Sequence, residues 1–521
     1  MKRNFKFSFF PIVSIIILAA FLRLYRIADY MTFLGDEGRD VLKAYDILHG
    51  HLTLLGPTSS VGGFFLGPIY YYFMAPFLWL FNYNPVGPAV MVAFFGVATV
   101  WLIYKFCSDL FNRRIGVIAS FLYAISPLII SYSRSSWNPN PLPFFSLLIL
   151  FILYKAVYKN NPKLFFIVGI LLGIAMQLHY LATFLAIVIF IYVLLSVVFN
   201  VKTTTQKIIL SLTRKYFSIF AGFIIGWIPF LAFELRHGFL DFKNILNFIV
   251  HSGNTGTSAN FISTIYDVFF RLFGRLLVSF PPPEQFFKYG GIILNLWIGV
   301  ILIIAVLSII FLSNNLFRSF KSKNENFGKY LLLFIWFFIG IVLFGFYKKS
   351  IYDYYFSFMF PLPFILVASL IVFIYEKFKI FGKVLAIVIF LFLFVINIQG
   401  LPFRYEPNRQ LNQMRTIASF VMTKTNAKPF NFALVTGGNS DHAYRYFFTI
   451  WGHPPVTIQY SLVDPKKETV TDQLFVVCES LPCLPLGNSL WEIAGFGRAE
   501  IEGHWNVSVV EVYKLVHYKG K

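Results

Sequence analysis

The chain has 521 residues, of which 58% are hydrophobic, 20% aromatic and only 13% charged, and its mean hydropathy is +0.70. This composition excludes an ordinary soluble domain and indicates a polytopic membrane protein. The formal net charge of +21 does not indicate a nucleic-acid-binding protein, because the lysines and arginines stand in short clusters between apolar runs.

The first apolar run begins near Phe9, after a basic start that contains Lys2 and Arg3. It is similar to a signal peptide, but it continues into Arg23 and Arg26 without a small-residue cleavage site. We therefore expect a retained first span. The positive-inside rule places the N-terminus in the cytoplasm and the first loop outside.

The next apolar segment, "LGPIYYYFMAPFLWLF" from Leu66 to Phe81, decides the rest of the topology. It is short, contains Pro68 and Pro76 and carries three consecutive tyrosines, which is typical of an interfacial or re-entrant helix. If it crossed, the later basic clusters would lie outside. We predict that it does not cross, which gives about eleven spans in the plasma membrane with the C-terminus outside.

The chain changes character after Gln399. "RQLNQMRTIASFVMTKT" has helical periodicity, whereas "FALVTGG", "LFVVCE" and "VSVVEVYKL" are β-branched runs. We predict an all-α polytopic membrane domain over 1–400, with an external loop over 28–85, and a small extracytoplasmic α/β domain over 401–521. Cys478 and Cys483 could form a disulfide if this last segment lies outside the cytoplasm.

The external loop carries an acidic pair, Asp36 and Glu37, at the start of an amphipathic helix in "TFLGDEGRDVLKAYDILHG". In one interpretation Asp36 caps the helix and Glu37 is a first-turn acid favoured by the helix dipole. In the other, a carboxylate at the membrane surface takes the proton from an acceptor hydroxyl while a lipid-linked leaving group waits in the bilayer. Arg39 beside the pair is a candidate substrate-binding residue.

The turn "SYSRSSWNPNP", from Ser131 to Pro141, joins two spans and contains Asn-Pro twice, so we expect Arg134, Trp137 and Asn138 to be held rigidly. These residues could be a snorkelling arginine and an interfacial tryptophan in an ordinary loop. Alternatively, Arg134 is a phosphate ligand and Asn138 also binds substrate.

The turn "YKKSIYDYYFSFMFPLPF" places Lys348 and Lys349 where the topology rule disfavours cations. A lipid phosphate would explain them, with Tyr352 offering a planar face to a sugar or an isoprenoid chain. An aromatic belt beside anionic headgroups is the alternative. In "MQLHY" we interpret Gln177 and His179 as a helix-packing pair and not as a metal site.

With "DEGRD", "GPIYYY" and "DLFNRRIGVIASFLYAISPLIISYSRSSWNPN" in this order, the sequence resembles the GT-C membrane glycosyltransferases. It is most similar to glycosyltransferase family 39, the protein O-mannosyltransferase and aminoarabinose transferase group, and to its bacterial relatives. The resemblance covers about the first 200 residues well, the later spans only by hydropathy and the "YDYYFSFMFPLPF" turn, and the tail hardly at all. Asp36 and Glu37 match the acidic pair of that family.

The resemblance implies transfer of a sugar, with inversion, from a polyprenyl phosphate to an acceptor outside the cytoplasm. Asp36 would be the base, with Glu37 beside it, while Arg134 and Lys348 or Lys349 would stabilise the leaving phosphate. Asn138 and Asn140 stand where many GT-C proteins carry another acid. We therefore expect no cofactor, although a divalent metal is not excluded, and as partners a lipid-linked sugar, an unknown acceptor and membrane lipids, but no nucleic acid.

Two other classes of protein stay open. A transporter or flippase of lipid-linked saccharides would need ionisable residues in the middle of its spans, and the sequence has few. A structural or polymer-binding membrane protein would leave the acidic pair without a role.

Overall fold

The computed structural model describes residues 10–59, 63–200, 204–251, 260–347 and 349–520. Apolar helices dominate, because a chain in hydrocarbon must satisfy its own backbone hydrogen bonds. In chain order the helices are α1 (Phe10–Leu24), α2 (Ile27–Tyr30), α3 (Gly35–Leu48), α4 (Ile69–Leu80), α5 (Val86–Leu110), α6 (Arg113–Ile125), α7 (Pro127–Tyr132), α8 (Leu142–Lys159), α9 (Pro162–Leu178), α10 (Ala182–Asn200), α11 (Thr205–Gly226), α12 (Ile228–Arg236), α13 (Leu240–His251), α14 (Phe261–Leu277), α15 (Gly291–Lys321), α16 (Phe327–Val342), α17 (Pro361–Lys377), α18 (Lys379–Gln399), α19 (Gln410–Thr425), α20 (His442–Ile450) and α21 (Trp491–Phe496).

Within these described ranges, seven helical segments are long and apolar enough to cross a membrane: α5, α8, α10, α11, α15, α16 with its 3-10 extension, and α18. An eighth candidate is the 3-10 segment Asp353–Met359 with α17, which are bent by 57° relative to each other. Helices α1 and α9 are apolar but shorter. The chain is a multi-pass membrane protein, and the count of about eleven spans stays a prediction.

Helix α4 is held by contacts near both of its ends. The Ile69 amide at its start donates to Gln177 Oε1 at 3.3 Å, beside the candidate site. Tyr83, just after its end, packs its ring 5.3 Å from the ring of Tyr45 on α3 and accepts a hydrogen bond from Tyr446 of the C-terminal region. The helix within this segment is short, and the prediction that the segment from Leu66 to Phe81 does not cross stays a prediction.

Helices α9 and α11 pack backbone to backbone through paired glycines. A Cβ on Gly169 would lie 2.0 Å from the Ile219 carbonyl oxygen, and a Cβ on Gly222 would lie 2.0 Å from that of Phe166. Each helix repeats the glycine four residues later, which is the small-residue spacing of close membrane helix pairs. This contact fixes the end of α9, where Gln177 Nε2 donates to the Gly226 carbonyl at 2.7 Å.

The C-terminal region is a small α/β domain. Its strands are β1 (Asn431–Val435), β2 (Gln473–Cys478), β3 (Ala499–Val507) and β4 (Val510–His517), in the order β1-β2-β4-β3. Strands β1 and β2 are parallel, and β4 is antiparallel to both of its neighbours. Cys478 and Cys483 form the disulfide that the sequence allowed. Helix α20 of this domain packs on α3, so the domain lies directly against the acidic pair.

Candidate active site

The start of α3 is held by Glu37 and not by Asp36. Glu37 Oε2 accepts from the Leu34 amide at 3.0 Å, and Oε1 accepts from the Thr32 hydroxyl at 2.7 Å. This is the reciprocal half of a capping box, and Leu34 occupies the N-cap position. The sequence interpretation of Asp36 as the cap is therefore wrong. Both oxygens of Glu37 are bound at the start of the helix, and Glu37 also lines the 620 Å³ cavity. Its catalytic role stays a prediction.

Asp36 directs its carboxylate into open space. Its side chain is 61% exposed, and Oδ1 lies 3.0 Å from Nη1 of Arg39. The same guanidinium binds Asp40, with 2.9 Å between Arg39 Nε and Asp40 Oδ1. Arg39 therefore binds one oxygen of the exposed Asp36 carboxylate and leaves the other oxygen, Oδ2, available.

Asp40 is a residue whose role the sequence pattern missed. The helical spacing placed it on the polar face of α3, but the structure buries it completely, and its Oδ2 has no hydrogen-bond partner. Burial raises the pKa of the Asp40 carboxyl to about 7, against the opposing effect of Arg39. The sequence offered no signal for this, because Asp40 is buried by contacts outside its own helix.

Asp36 lies in the wall between two cavities. One cavity, of about 620 Å³, is also lined by Tyr132 and by Gly438 of the C-terminal domain. The other, of about 260 Å³, is also lined by Arg39 and His179. Asp36 and Trp137 line both of them. A single carboxylate is thus accessible from two separate binding spaces.

The turn from Ser131 to Pro141 forms part of both cavities. Two of its polar side chains, Arg134 and Asn138, donate hydrogen bonds to backbone carbonyls. Arg134 Nη1 donates to the Leu22 carbonyl at 2.9 Å, and Nη2 donates to the Tyr25 carbonyl at 2.7 Å. These are carbonyls at the end of α1, where a cation is favoured by the helix dipole. Asn138 Nδ2 likewise donates to the Leu178 carbonyl at 2.6 Å. Both side chains anchor helix ends, while Arg134 also lines the 620 Å³ cavity and Asn138 lines the 260 Å³ cavity. Phosphate binding by Arg134 and substrate binding by Asn138 stay predictions.

The tyrosine-rich turn is positioned by Asp353. Its carboxylate binds Arg271 of α14, with Nε at 2.8 Å from Oδ1, and also forms an ion pair with Arg275. Behind it, the ring of Tyr354 packs 4.3 Å from that of Trp137, at the smaller cavity. The site therefore receives an aromatic wall from this turn.

Of the cations predicted on this turn, Lys348 lies outside the described residues. Lys349 is half-buried on the turn, and Tyr352 is 56% exposed and stacks on Tyr354. Neither lines one of the two cavities. Their role in donor binding stays a prediction.

His179 and Gln177 behave as a packing pair. The His179 ring is buried and stacks 4.7 Å from the ring of Tyr180, and burial lowers the pKa of His179 to about 3, so the ring is neutral. Within the part of the chain that the structure describes, no cluster of three or more His, Cys, Asp or Glu could hold a metal ion.

A third cavity, of about 780 Å³, adjoins the 620 Å³ cavity at Ser131, which lines both. Its walls include apolar side chains of α15 and α18, such as Leu296 and Ile396, and residues of the segment 279–289. Arg275 and Lys288 also line it. Sequence analysis missed both cations, because they stand in an otherwise unremarkable segment before α15. An apolar groove with cations suits a lipid with an anionic headgroup.

Comparison with known proteins agrees with this architecture. The model of the dolichyl-phosphate-mannose-protein mannosyltransferase family matches residues 66–227, which confirms the predicted resemblance over a region that begins after the acidic pair. No curated protein sequence matches the chain.

Two solved structures are similar in fold. ArnT from Cupriavidus metallidurans, bound to undecaprenyl phosphate, superposes with a TM-score of 0.58 at 12% identity, over 96% of this chain and 97% of that one. The archaeal oligosaccharyltransferase AglB from Archaeoglobus fulgidus, in complex with an inhibitory peptide and a dolichol-phosphate, gives a TM-score of 0.51 at 12% identity, over 91% and 70%. The predicted fold class, a GT-C polytopic helical domain with a small C-terminal α/β domain, is confirmed.

Proposed function

We propose that this protein, which has the GT-C fold, is an inverting glycosyltransferase that moves a hexosyl or pentosyl group from a polyprenyl phosphate to an acceptor hydroxyl or amine. The observation that carries the proposal is the position of Asp36 in the wall shared by two cavities. A transferase must bring two substrates together at one base, and this arrangement offers each substrate its own space.

The chemistry requires one displacement. The acceptor oxygen or nitrogen attacks the anomeric carbon, its proton passes to Asp36, and the bond from that carbon to the phosphate oxygen breaks. One displacement inverts the anomeric centre. The polyprenyl phosphate leaves as a stable anion, so no acid is needed to protonate it. Arg39 fixes the base by its contact of 3.0 Å with Asp36.

The groove between α15 and α18 suits the lipid part of the donor. Its apolar walls would hold isoprenoid units, and Arg275 and Lys288 would face the phosphate. Arg275 already forms an ion pair with Asp353, so Lys288 supplies the charge that is not neutralised there. The groove meets the 620 Å³ cavity at Ser131, which gives the donor sugar a path towards Asp36.

The proposal assigns the reaction to the outer face of the membrane, and the disulfide of the C-terminal domain supports this. The Cys478–Cys483 disulfide is typical of a domain outside the reducing cytoplasm. The same domain contacts the start of α3 through Asn439, whose Oδ1 accepts from the Gly35 amide at 2.8 Å. Asp36 therefore shares the compartment of the disulfide.

Incubation of the purified protein with radiolabelled polyprenyl-phosphate sugars and a panel of saccharide, lipid and peptide acceptors tests the proposal. Transfer by the wild type that is lost in Asp36→Asn supports it. Movement of labelled lipid between leaflets of proteoliposomes, without any product, would instead assign the protein to the transporters.

A further inference from the structure

We infer that Asn439, in the loop between β1 and α20, is a positioning residue for Asp36, so that the C-terminal domain completes the active site. The expected effect on kcat rests on the proposed function, whereas the contact between Asn439 and the start of α3 rests on geometry alone. Neither sequence motif nor composition marked this loop.

Asn439 binds the first turn of the catalytic helix. Its Oδ1 accepts from the amide of Gly35, the residue directly before Asp36, at 2.8 Å, and from the Ser440 amide at 2.9 Å. The amides at the start of a helix have no partner within the helix, so an external acceptor is needed here. Glu37 does not supply it, because its carboxylate is bound to Leu34 and Thr32.

The two surfaces are built to touch. A Cβ on Gly35 would lie 2.0 Å from Ser440 Oγ, and a Cβ on Gly38 would lie 2.3 Å from the Ala443 amide nitrogen. Only glycine fits at either position, since real Cβ atoms essentially never approach so closely. The start of α3 is thus seated in the C-terminal domain.

Glu479 orients Asn439. The amide Nδ2 of Asn439 donates to Glu479 Oε2 at 3.1 Å, which fixes the direction of the opposite Oδ1 towards Gly35. Glu479 also accepts from the Tyr444 hydroxyl at 2.8 Å and from the Thr436 hydroxyl at 3.0 Å. Because Glu479 lies inside the loop closed by the Cys478–Cys483 disulfide, the bond restrains the residue that orients Asn439.

This chain of contacts matters because Asp36 is fixed by Arg39 and by the backbone of the first turn of α3. Asp36 is largely exposed and has one ion pair, with Arg39 on its own helix. Its direction therefore follows the backbone of the first turn, which Asn439 holds. A displacement of about 1 Å at a catalytic group can lower the rate about 100-fold.

The test compares Asn439→Ala with Asn506→Ala, a matched control at an exposed asparagine of β3. We expect Asn439→Ala to lower kcat at least about 10-fold while the Kd for the donor changes less than about twofold. Asn439 also lines the 620 Å³ cavity. The loss should nevertheless be mainly in kcat, because Asn439 is bound to the backbone beside Asp36 and does not line the cavity assigned to the lipid and its phosphate. The control should match the wild type in both quantities.

Hydrogen–deuterium exchange provides a readout that does not depend on turnover. Asn439→Ala should speed exchange in the peptide that contains Gly35 and Asp36, with no change in β1 or β2. Unchanged exchange there would overturn the inference whether or not the enzyme is active. If exchange is faster in Asn439→Ala but the wild type shows no transfer with any donor, the proposed function alone is contradicted.

A pair of substitutions tests the hydrogen bond between Asn439 and Glu479. Asn439→Asp alone places a second carboxylate beside Glu479, so kcat should fall. Adding Glu479→Gln restores a donor–acceptor pair with the polarity reversed, and should recover most of the lost kcat and of the protection. A double variant no better than Asn439→Asp would refute the role assigned to Glu479.

Discussion

The Arg39 guanidinium joins two carboxylates of one helix: it lies 3.0 Å from Asp36, which is open to both cavities, and it also binds Asp40, which is completely buried. The buried acid fixes the arginine, and the arginine fixes the exposed acid. The first turn of α3 is therefore an electrostatic unit, and changes to either acid should have distinct effects.

Asp36→Asn should abolish transfer, because the amide keeps the size of the side chain but cannot take a proton at neutral pH. General bases contribute about 10²- to 10⁴-fold, so kcat should fall by at least about 100-fold. The measurement is initial rate in detergent or liposomes. Asp46→Asn, an exposed acid of the same helix paired with Lys43, is the control and should be active. A rate near that of the wild type in Asp36→Asn would remove the base from the mechanism.

Asp40 should make stability depend on pH. Burial raises its pKa from 3.8 to about 7. The folded state then holds the proton more tightly than the unfolded one, so this contribution is full below about pH 4 and is lost as the pH rises through about 7. The Tm in detergent, followed by tryptophan fluorescence, should fall over that window. Asp40→Asn cannot ionise, and a wild-type slope in this variant would contradict the assignment.

The topology around α4 can be labelled directly. In a Cys107→Ala background that retains the disulfide, a cysteine at the exposed Asn82 should react with an impermeant thiol reagent added outside intact cells. A cysteine at Arg114, at the start of α6, should react only after permeabilisation. Protection at position 82 together with labelling at position 114 would show the opposite orientation.

Lys288 should bind the donor phosphate. Lys288→Ala removes a charge-assisted contact of about 1.5 to 3 kcal/mol, so donor Kd should rise at least about tenfold, while Lys288→Arg keeps the charge and much of the affinity. Lys466→Ala, an exposed lysine of the C-terminal domain, is the control. If the double variant Lys348→Ala/Lys349→Ala weakens donor binding and Lys288→Ala does not, the phosphate belongs beside the tyrosine-rich turn.

Gly38→Ala should disturb the seat of α3, because its Cβ would lie 2.3 Å from the Ala443 amide nitrogen. We expect a lower Tm and a lower kcat. Gly299→Ala, in α15, has open space around its Cβ and should leave Tm equal or slightly higher, since alanine favours helix. Equal behaviour of the two variants, measured side by side, would show that the contact between α3 and α20 is loose.

Hydropathy and local sequence predicted the elements whose causes are local. The apolar runs became helices because each one can satisfy its own backbone. The short helix between Leu66 and Phe81 followed because the prolines and tyrosines that indicate it lie within the segment. The position of Asp36 at the start of an amphipathic helix followed for the same reason.

The roles of the polar side chains depended on partners far along the chain. The sequence singled out Arg134 but gave no sign of its contacts with Leu22 and Tyr25, more than 100 residues earlier. Asn439 contacts Gly35 across 404 residues. Periodicity and charge patterns carry no information on such pairings, so sequence could place the base but not what holds it.

Helix α4 has a consequence for biogenesis. It has 12 residues, and about eight more apolar residues would make it long enough to span the bilayer. A crossing there would add one span to the chain, so every later segment would lie on the opposite side of the membrane. Asp36 would stay on one face of the membrane while Asn439 was delivered to the other. Such a chain could insert completely and still be unable to assemble its own catalytic centre.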